Sequence, residues 1–212
     1  VPSSEQQTQR VYGGRSAADR RTERRERLMA AGLELFGTEG YASSSIEKLC
    51  AAATVSTRNF YEEFAGREAL LTALHDRILE NAAAAVGTAF VELGDSALPQ
   101  RIEQAVRAYI TTTAADPRWA RLSYVEIIGV SEAVERHRIV WRERWVAMLE
   151  AEATRAVARG EAAARDFHLG AVALIGAVNE LVFHWTTGGY RIPLDDVIAE
   201  IVRLATAVVT AA

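Results

Sequence analysis

The chain has one cysteine (Cys50), one lysine (Lys48) and four prolines in 212 residues. A lone thiol cannot close an internal disulfide, and it argues against a disulfide scaffold or a structural zinc site. Few prolines and abundant alanine favour helix. No alternating β-branched run between hairpin turns is present, so the expected fold class is all-α. The longest apolar run apart from glycine, Leu169 to Val178, is about half the ~20 residues that span a bilayer. The N-terminal residues lack the apolar core of a signal peptide. A cytoplasmic protein with no membrane partner is expected.

Catalytic signatures are missing too. There is no GxGxxG, P-loop, HExxH, CxxC or GxSxG motif. The four histidines (His75, His137, His168 and His184) fall on at least three predicted helices without ligand spacing. No catalytic residue, metal or cofactor is expected, and the chain is read as a non-enzyme. The net charge of −4 gives no hint of nucleic acid, but its distribution does. Residues 1–60 carry 9 Lys+Arg and 7 Asp+Glu, whereas 61–212 carry 15 and 21. That leaves room for a basic face on an otherwise acidic protein.

What is present is a compact motif. Residues 40–71 read GYASSSIEKLCAAATVSTRNFYEEFAGREALL. Ser44 and Glu47 have capping-box spacing. Ile46, Leu49, Cys50 and Ala53 then fall at i, i+3, i+4 and i+7, one buried helical face. Cys50 on that face reads as a packing residue, with a redox sensor as the alternative. Thr54-Val55 makes a turn, and Ser56 is placed to cap a second short helix. In it Phe60 and Phe64 point inward, leaving Thr57, Arg58, Asn59 and Tyr61 outside. Two helices too short to stand alone, joined by a tight turn, predict a helix-turn-helix whose second helix enters a DNA major groove. The expected DNA-binding residues are Ser44, Ser45, Ser56, Thr57, Arg58, Asn59, Tyr61 and Arg67, with Arg58 as base reader and Tyr61, Ser44, Ser45 and Arg67 on phosphates.

At these residues the chain resembles the tetracycline-repressor (TetR) family of transcriptional regulators. The likeness is carried by Gly40-Tyr41, Ser43 to Ser45, the stretch Ile46 to Ala53, Val55-Ser56, Phe60-Tyr61-Glu62-Glu63-Phe64 and Arg67 to Leu71. It covers about a third of the chain, from roughly Arg20 to Arg77. Three positions depart from the family pattern. Thr54 and Arg58 stand where glycine is common, and Glu62 puts a carboxylate near the expected phosphates. A β-branched Thr54 is unfavourable if φ there is positive.

The domain reading is a flexible arm at 1–18, with Arg10 and Arg15 able to reach DNA, a helix-turn-helix head at 19–66, and a helical body at 67–212. Helix 1 is expected over about 19–38, with Leu28, Ala31, Gly32, Leu35 and Phe36 inward. Arg20, Arg21, Arg24, Arg25 and Arg27 crowd its first half, either solvated or meeting phosphate. A long helix over about 67–93 joins head and body. Five more helices follow, over about 99–114, 117–128, 131–159, 166–187 and 194–211. Residues 169–185 are apolar around nearly the whole circumference, which demands cover on every side. A second copy of the chain, docked through 166–187 and 194–211, is the simplest cover. The resemblance implies the same four-helix interface.

Trp141, Trp145 and Met148 share one helix face. The resemblance places Trp119, Tyr124, Trp141, Trp145, Asn179 and Phe183 around one cavity for an apolar or aromatic ligand. It implies a homodimeric repressor of a palindromic double-stranded operator, released by an unknown small molecule through the long helix. The alternatives are a helical ligand-binding or enzymatic bundle whose helix-turn-helix no longer binds DNA, and a DNA-binding regulator without ligand.

Overall fold

The computed structural model describes residues 16–210, which form nine α-helices and one π-helical turn and contain no strand. The fold is all-α, as expected. The helices are α1 (Ala17–Thr38), α2 (Ile46–Ala53), α3 (Thr57–Glu63), α4 (Arg67–Leu93), α5 (Leu98–Ala114), α6 (Pro117–Arg121), α7 (Glu132–Ala158), α8 (His168–Thr187) and α9 (Leu194–Thr210). The arm expected at 1–18, with Arg10 and Arg15, lies outside the described residues up to position 15. Its last residues belong to α1: Ser16 caps the helix by accepting from Asp19 N–H at 3.0 Å, and the Asp19 carboxylate accepts from Ser16 N–H in return.

The helix expected over 117–128 is broken. After α6 the backbone widens to a π turn at Leu122–Glu126, where Ile127 N–H reaches the Leu122 carbonyl at 3.2 Å. Such one-residue excesses are rare and concentrate at functional sites.

Phe36, Leu49, Phe60, Leu70 and Leu71 are fully enclosed in the head core. Each such side chain stabilises by about 1.5–3 kcal/mol through burial. That core also takes in Leu122, Ile127 and Val134 from beyond α6. Head and body therefore share apolar packing as well as α4. The approach of α1 to α6 is very close at Gly37, where an added Cβ would lie 2.5 Å from Arg118 Cβ and 2.8 Å from its Cα. Only glycine fits there without moving backbone.

The body is built around α5, α8 and α9, with Ile110, Val182 and Ile201 at its centre. Leu79, Ala82 and Val86 of α4 meet Trp141 and Trp145 of α7 in an adjoining cluster. One face of α8 is left uncovered. Leu169, Val172, Ala173, Gly176, Glu180, His184 and Thr187 are exposed along it at helical spacing. By length and composition α8 could cross a membrane, with 33% of its apolar window buried. Its other face is packed in the body core.

Candidate DNA-reading face and ligand cavity

The second helix of the motif is fixed from below and open above. Ser56 caps α3 by accepting from Asn59 N–H at 3.2 Å. Phe60 and Phe64 anchor it in the core with ring centroids 6.0 Å apart. What remains outside is Thr57, Arg58, Tyr61 and part of Asn59. The Arg58 side chain is 90% exposed, its Nε 3.6 Å from Glu62 Oε1. Tyr61 is 55% exposed. The structure thus brings Ser56, Thr57, Arg58, Asn59 and Tyr61 together on one open surface.

Two expected phosphate contacts are corrected. Ser44 is wholly buried, its hydroxyl donating to the Gly40 carbonyl at 2.8 Å, so it neither caps α2 nor faces solvent. The cap is the exposed Ser45, which accepts from Lys48 N–H at 3.3 Å. Arg67 turns inward: its Nη1 donates to the carbonyls of Tyr41 at 3.1 Å and Ser44 at 2.8 Å, and its guanidinium lies 4.7 Å from the centre of the Tyr41 ring. This arginine ties the start of α4 to the loop before α2.

The arginine run on α1 is similarly engaged. Arg24 and Arg21 bind the Glu63 carboxylate at 2.5 and 3.2 Å. Arg25 donates to the Glu63 carbonyl and covers the Phe64 ring. Burial pushes the Glu63 carboxyl up, but the hydrogen bonds from Arg24 and Arg21 outweigh it and hold the group below the usual carboxylate range. These residues clamp the end of α3 to α1. The turn before α3 carries a cost: Thr54 has φ 53°, in the left-handed region. Cys50 is buried behind it, and burial pushes its thiol up, away from the reactive thiolate.

The body holds an apolar cavity of about 110 Å³ between α4, α5, α7, α8 and α9, lined by Phe90, Tyr109, Trp145, Met148 and Phe167 among others. A chamber of about 30 Å³ adjoins it, sharing Tyr109, Trp145 and Ile175. Tyr124, Trp141 and Asn179 line this smaller chamber, so four of the six residues expected around a cavity do surround one. Trp119 and Phe183 do not. Trp119 packs against the head core, because α6 lies on α1. Phe183 is half-buried near the open face of α8 and lines neither space. The rings of Phe90, Tyr109 and Phe167 take their places. Their aromatic character was visible in the sequence, but nothing local said which way they point.

Beneath the small chamber, His75 Nδ1 and His137 Nε2 are 3.0 Å apart. Burial, with the charges of His137 and Arg138, pushes the His75 pKa down to about 3. It is neutral at physiological pH. Asp76 accepts from Trp141 Nε1–H at 2.7 Å and stands 3.6 Å from His137. Among the described residues, no three His, Cys, Asp or Glu side chains cluster as metal ligands.

A helix-turn-helix head is thus joined by a long helix and a shared core to a helical body with its own cavity. Residues 28–74 match the family described as bacterial regulatory proteins, tetR family. Over 157 residues, 74% of this chain and 71% of the relative, the sequence is 27% identical to the HTH-type transcriptional regulator EthR of Mycolicibacterium smegmatis. The fold superposes on a putative TetR-family regulator from Syntrophomonas wolfei with a TM-score of 0.77 at 18% identity, covering 89% of this chain and 95% of that one. It also superposes on the regulator FadR from Bacillus subtilis in complex with stearoyl-CoA, with a TM-score of 0.73 at 16% identity, covering 85% and 96%. Residues 28–74 thus match the DNA-binding domain of the tetR family, as the motif led one to expect, and the whole chain shares the fold of TetR-family regulators.

Proposed function

We propose that the protein is a homodimeric, ligand-released repressor that reads a palindromic operator with α3. The observation that carries this reading is a continuous mechanical connection. The surface of α3 rests on a core that includes Leu122 and Ile127, and Tyr124, between them, lines the small chamber that adjoins the body cavity. A space of about 110 Å³ holds a group of roughly benzene size. A larger ligand has to part the helices, and that displacement gives it different affinities for two shapes of the body. Ser56, Thr57, Arg58, Asn59 and Tyr61 face the DNA, with Arg58 on base edges and Tyr61 and Ser45 on phosphates. The open face of α8, beside Ala199, Arg203 and Ala207 of α9, docks on its copy and sets the spacing of the two heads. The stearoyl-CoA held by the Bacillus subtilis relative supports a ligand with an apolar tail. Such a regulator works in the cytoplasm.

A gel-shift assay with the DNA flanking its own gene, with and without a panel of hydrophobic metabolites, tests the reading. A specific shift abolished by at least one compound is expected. No shift on any flanking fragment would leave a ligand-binding bundle, and a shift that no compound relieves would leave a constitutive regulator.

A further inference from the structure

The turn between α8 and α9 contains a strained tyrosine. Tyr190 has φ 60°, in the left-handed region that favours glycine, and it follows Gly189 at φ 75°. A bulky residue in that region is an outlier, and it persists only where its surroundings hold it there. Here they do. The Tyr190 N–H donates to the Trp185 carbonyl at 3.1 Å. The Tyr190 ring stands edge-on to the Trp185 indole, with centroids 4.7 Å apart. Trp185 is buried near the end of α8, and its Nε1–H donates to the Ile192 carbonyl at 2.7 Å, which closes the turn around the tyrosine.

The Tyr190 hydroxyl leaves the turn and donates to the Pro117 carbonyl at 3.2 Å, across 73 positions of sequence. Pro117 opens α6. The next residue, Arg118, is the one that α1 approaches at Gly37, and it binds Glu34 of α1 at 2.7 Å. Helix α6 therefore packs both on α1 of the head and on α8. Among the described residues, α4 has no comparable backbone packing on α8. The path from α8 to the head runs through α6, and Tyr190 ties the end of the one to the start of the other.

Two heads that read a palindrome must match half-sites a whole helical turn apart. Their separation is fixed only when each head keeps a fixed angle to the helix through which the dimer forms. We infer that Tyr190 is a positioning residue for operator reading: it braces α6 against the end of α8 and so fixes the distance between the two α3 helices of the dimer. This rests on the dimeric reading proposed above and names what sets its spacing. Tyr190 lines neither the cavity nor the small chamber and lies on a different element from the reading face. Its effect is on the choice of half-site spacing, not on base contacts.

The test uses the full chain and the palindromic duplex that the gel shift on flanking DNA identifies. Beside it stand copies with one base pair added or removed at the centre, and a duplex with a single half-site. Tyr190→Phe keeps the ring and deletes the hydroxyl. Tyr190→Gly deletes the ring and relieves the strained backbone. The parent should bind the original spacing most tightly. Tyr190→Phe should lose about two- to tenfold of that preference, as one hydrogen bond implies, and Tyr190→Gly should lose more. Both variants should sediment as dimers and bind the single half-site as the parent does. A preference for spacing that both variants keep in full, whatever happens to their melting temperatures, would overturn the assignment. Equal losses on every duplex, the single half-site included, would overturn it too, because the residue would then act on the fold of the head. A parent that sediments as a monomer, or binds all spacings alike, would overturn the dimeric reading together with it.

Discussion

Glu126 Oε2 accepts a hydrogen bond from Tyr41 N–H at 2.7 Å, across 85 positions of sequence, and its other oxygen takes Arg121 Nε–H at 2.8 Å. Arg121 in turn donates to the Thr38 carbonyl at 2.6 Å. One carboxylate in the π turn of the body thus fixes the loop that starts the helix-turn-helix. Glu126→Ala should cost about 1.5–3 kcal/mol, the range for hydrogen bonds to a charged group. It should lower the ligand's effect on DNA release more than it lowers DNA affinity. A variant whose ligand response matches the parent's would show that the signal travels along α4 alone.

Arg58 and Glu62 form an exposed pair on the reading face. Its contribution to stability is small, but its effect on binding should not be, because Arg58 has to leave Glu62 to reach a base. Arg58→Ala should relax sequence preference by about 1–3 kcal/mol at one base pair. Glu62→Gln should tighten binding to all DNA by freeing Arg58 and removing a negative charge near phosphate. Fluorescence anisotropy on operator and scrambled duplexes measures both, and a neutral Glu62→Gln would place that carboxylate away from the DNA.

Thr54 ends α2 at φ 53°. A non-glycine residue in that region costs about 1–2 kcal/mol. Thr54→Gly should therefore stabilise the head by roughly 1 kcal/mol, net of the entropy that glycine adds to the unfolded chain. Chemical denaturation settles the sign; a destabilised variant would mean the Thr54 side chain contributes more than its strain removes.

Val172 and Val178 lie on the same helix with opposite surroundings. Val172 is 42% exposed on the open face of α8, while Val178 is 6% exposed in the body core and borders the cavity. Val172→Arg should yield a folded monomer in sedimentation, since it puts an unpaired charge into the proposed dimer contact. Val178→Arg should unfold the subunit instead. A dimeric Val172→Arg protein would move the interface elsewhere.

The histidine pair sets a pH dependence. His75 has a pKa near 3 in the folded chain, against about 6.5 when unfolded. Between those values the unfolded state holds a proton that the folded state refuses, so stability falls as pH drops below about 6.5. Burial also lowers His137, which adds in the same direction. Above pH 7 both forms are neutral and the effect vanishes. The urea midpoint should drop between pH 7 and pH 5, by up to about 1.4 kcal/mol per pH unit for one site, and His75→Leu should flatten that slope.

Helix boundaries were legible wherever a local signal existed. The span 67–93 of α4, bounded by Gly66 and Gly94, is the same in sequence and structure. Phe60 and Phe64, four residues apart, could only face inward. The failures share a cause, which is that neighbours decided them. Ser44 and Ser45 are equivalent as caps until the fold buries one. Arg21, Arg24 and Arg25 resemble a phosphate-binding row until Glu63 arrives from 38 to 42 residues away. Trp119 has a ring of the right kind for the cavity, on a helix that packs against the head. The π turn differs from its helix by one residue and has no compositional mark.

Gly37 limits how the molecule can move. With α1 and α6 in backbone contact there, and Arg118 linked to Glu34 at 2.7 Å one turn away, the head has no room to advance on the body. What remains open is rotation about the contact. If the displacement proposed for ligand release turns about this crossing, a small opening at the cavity end becomes an arc at the tip of α3, longer in proportion to its distance from Gly37.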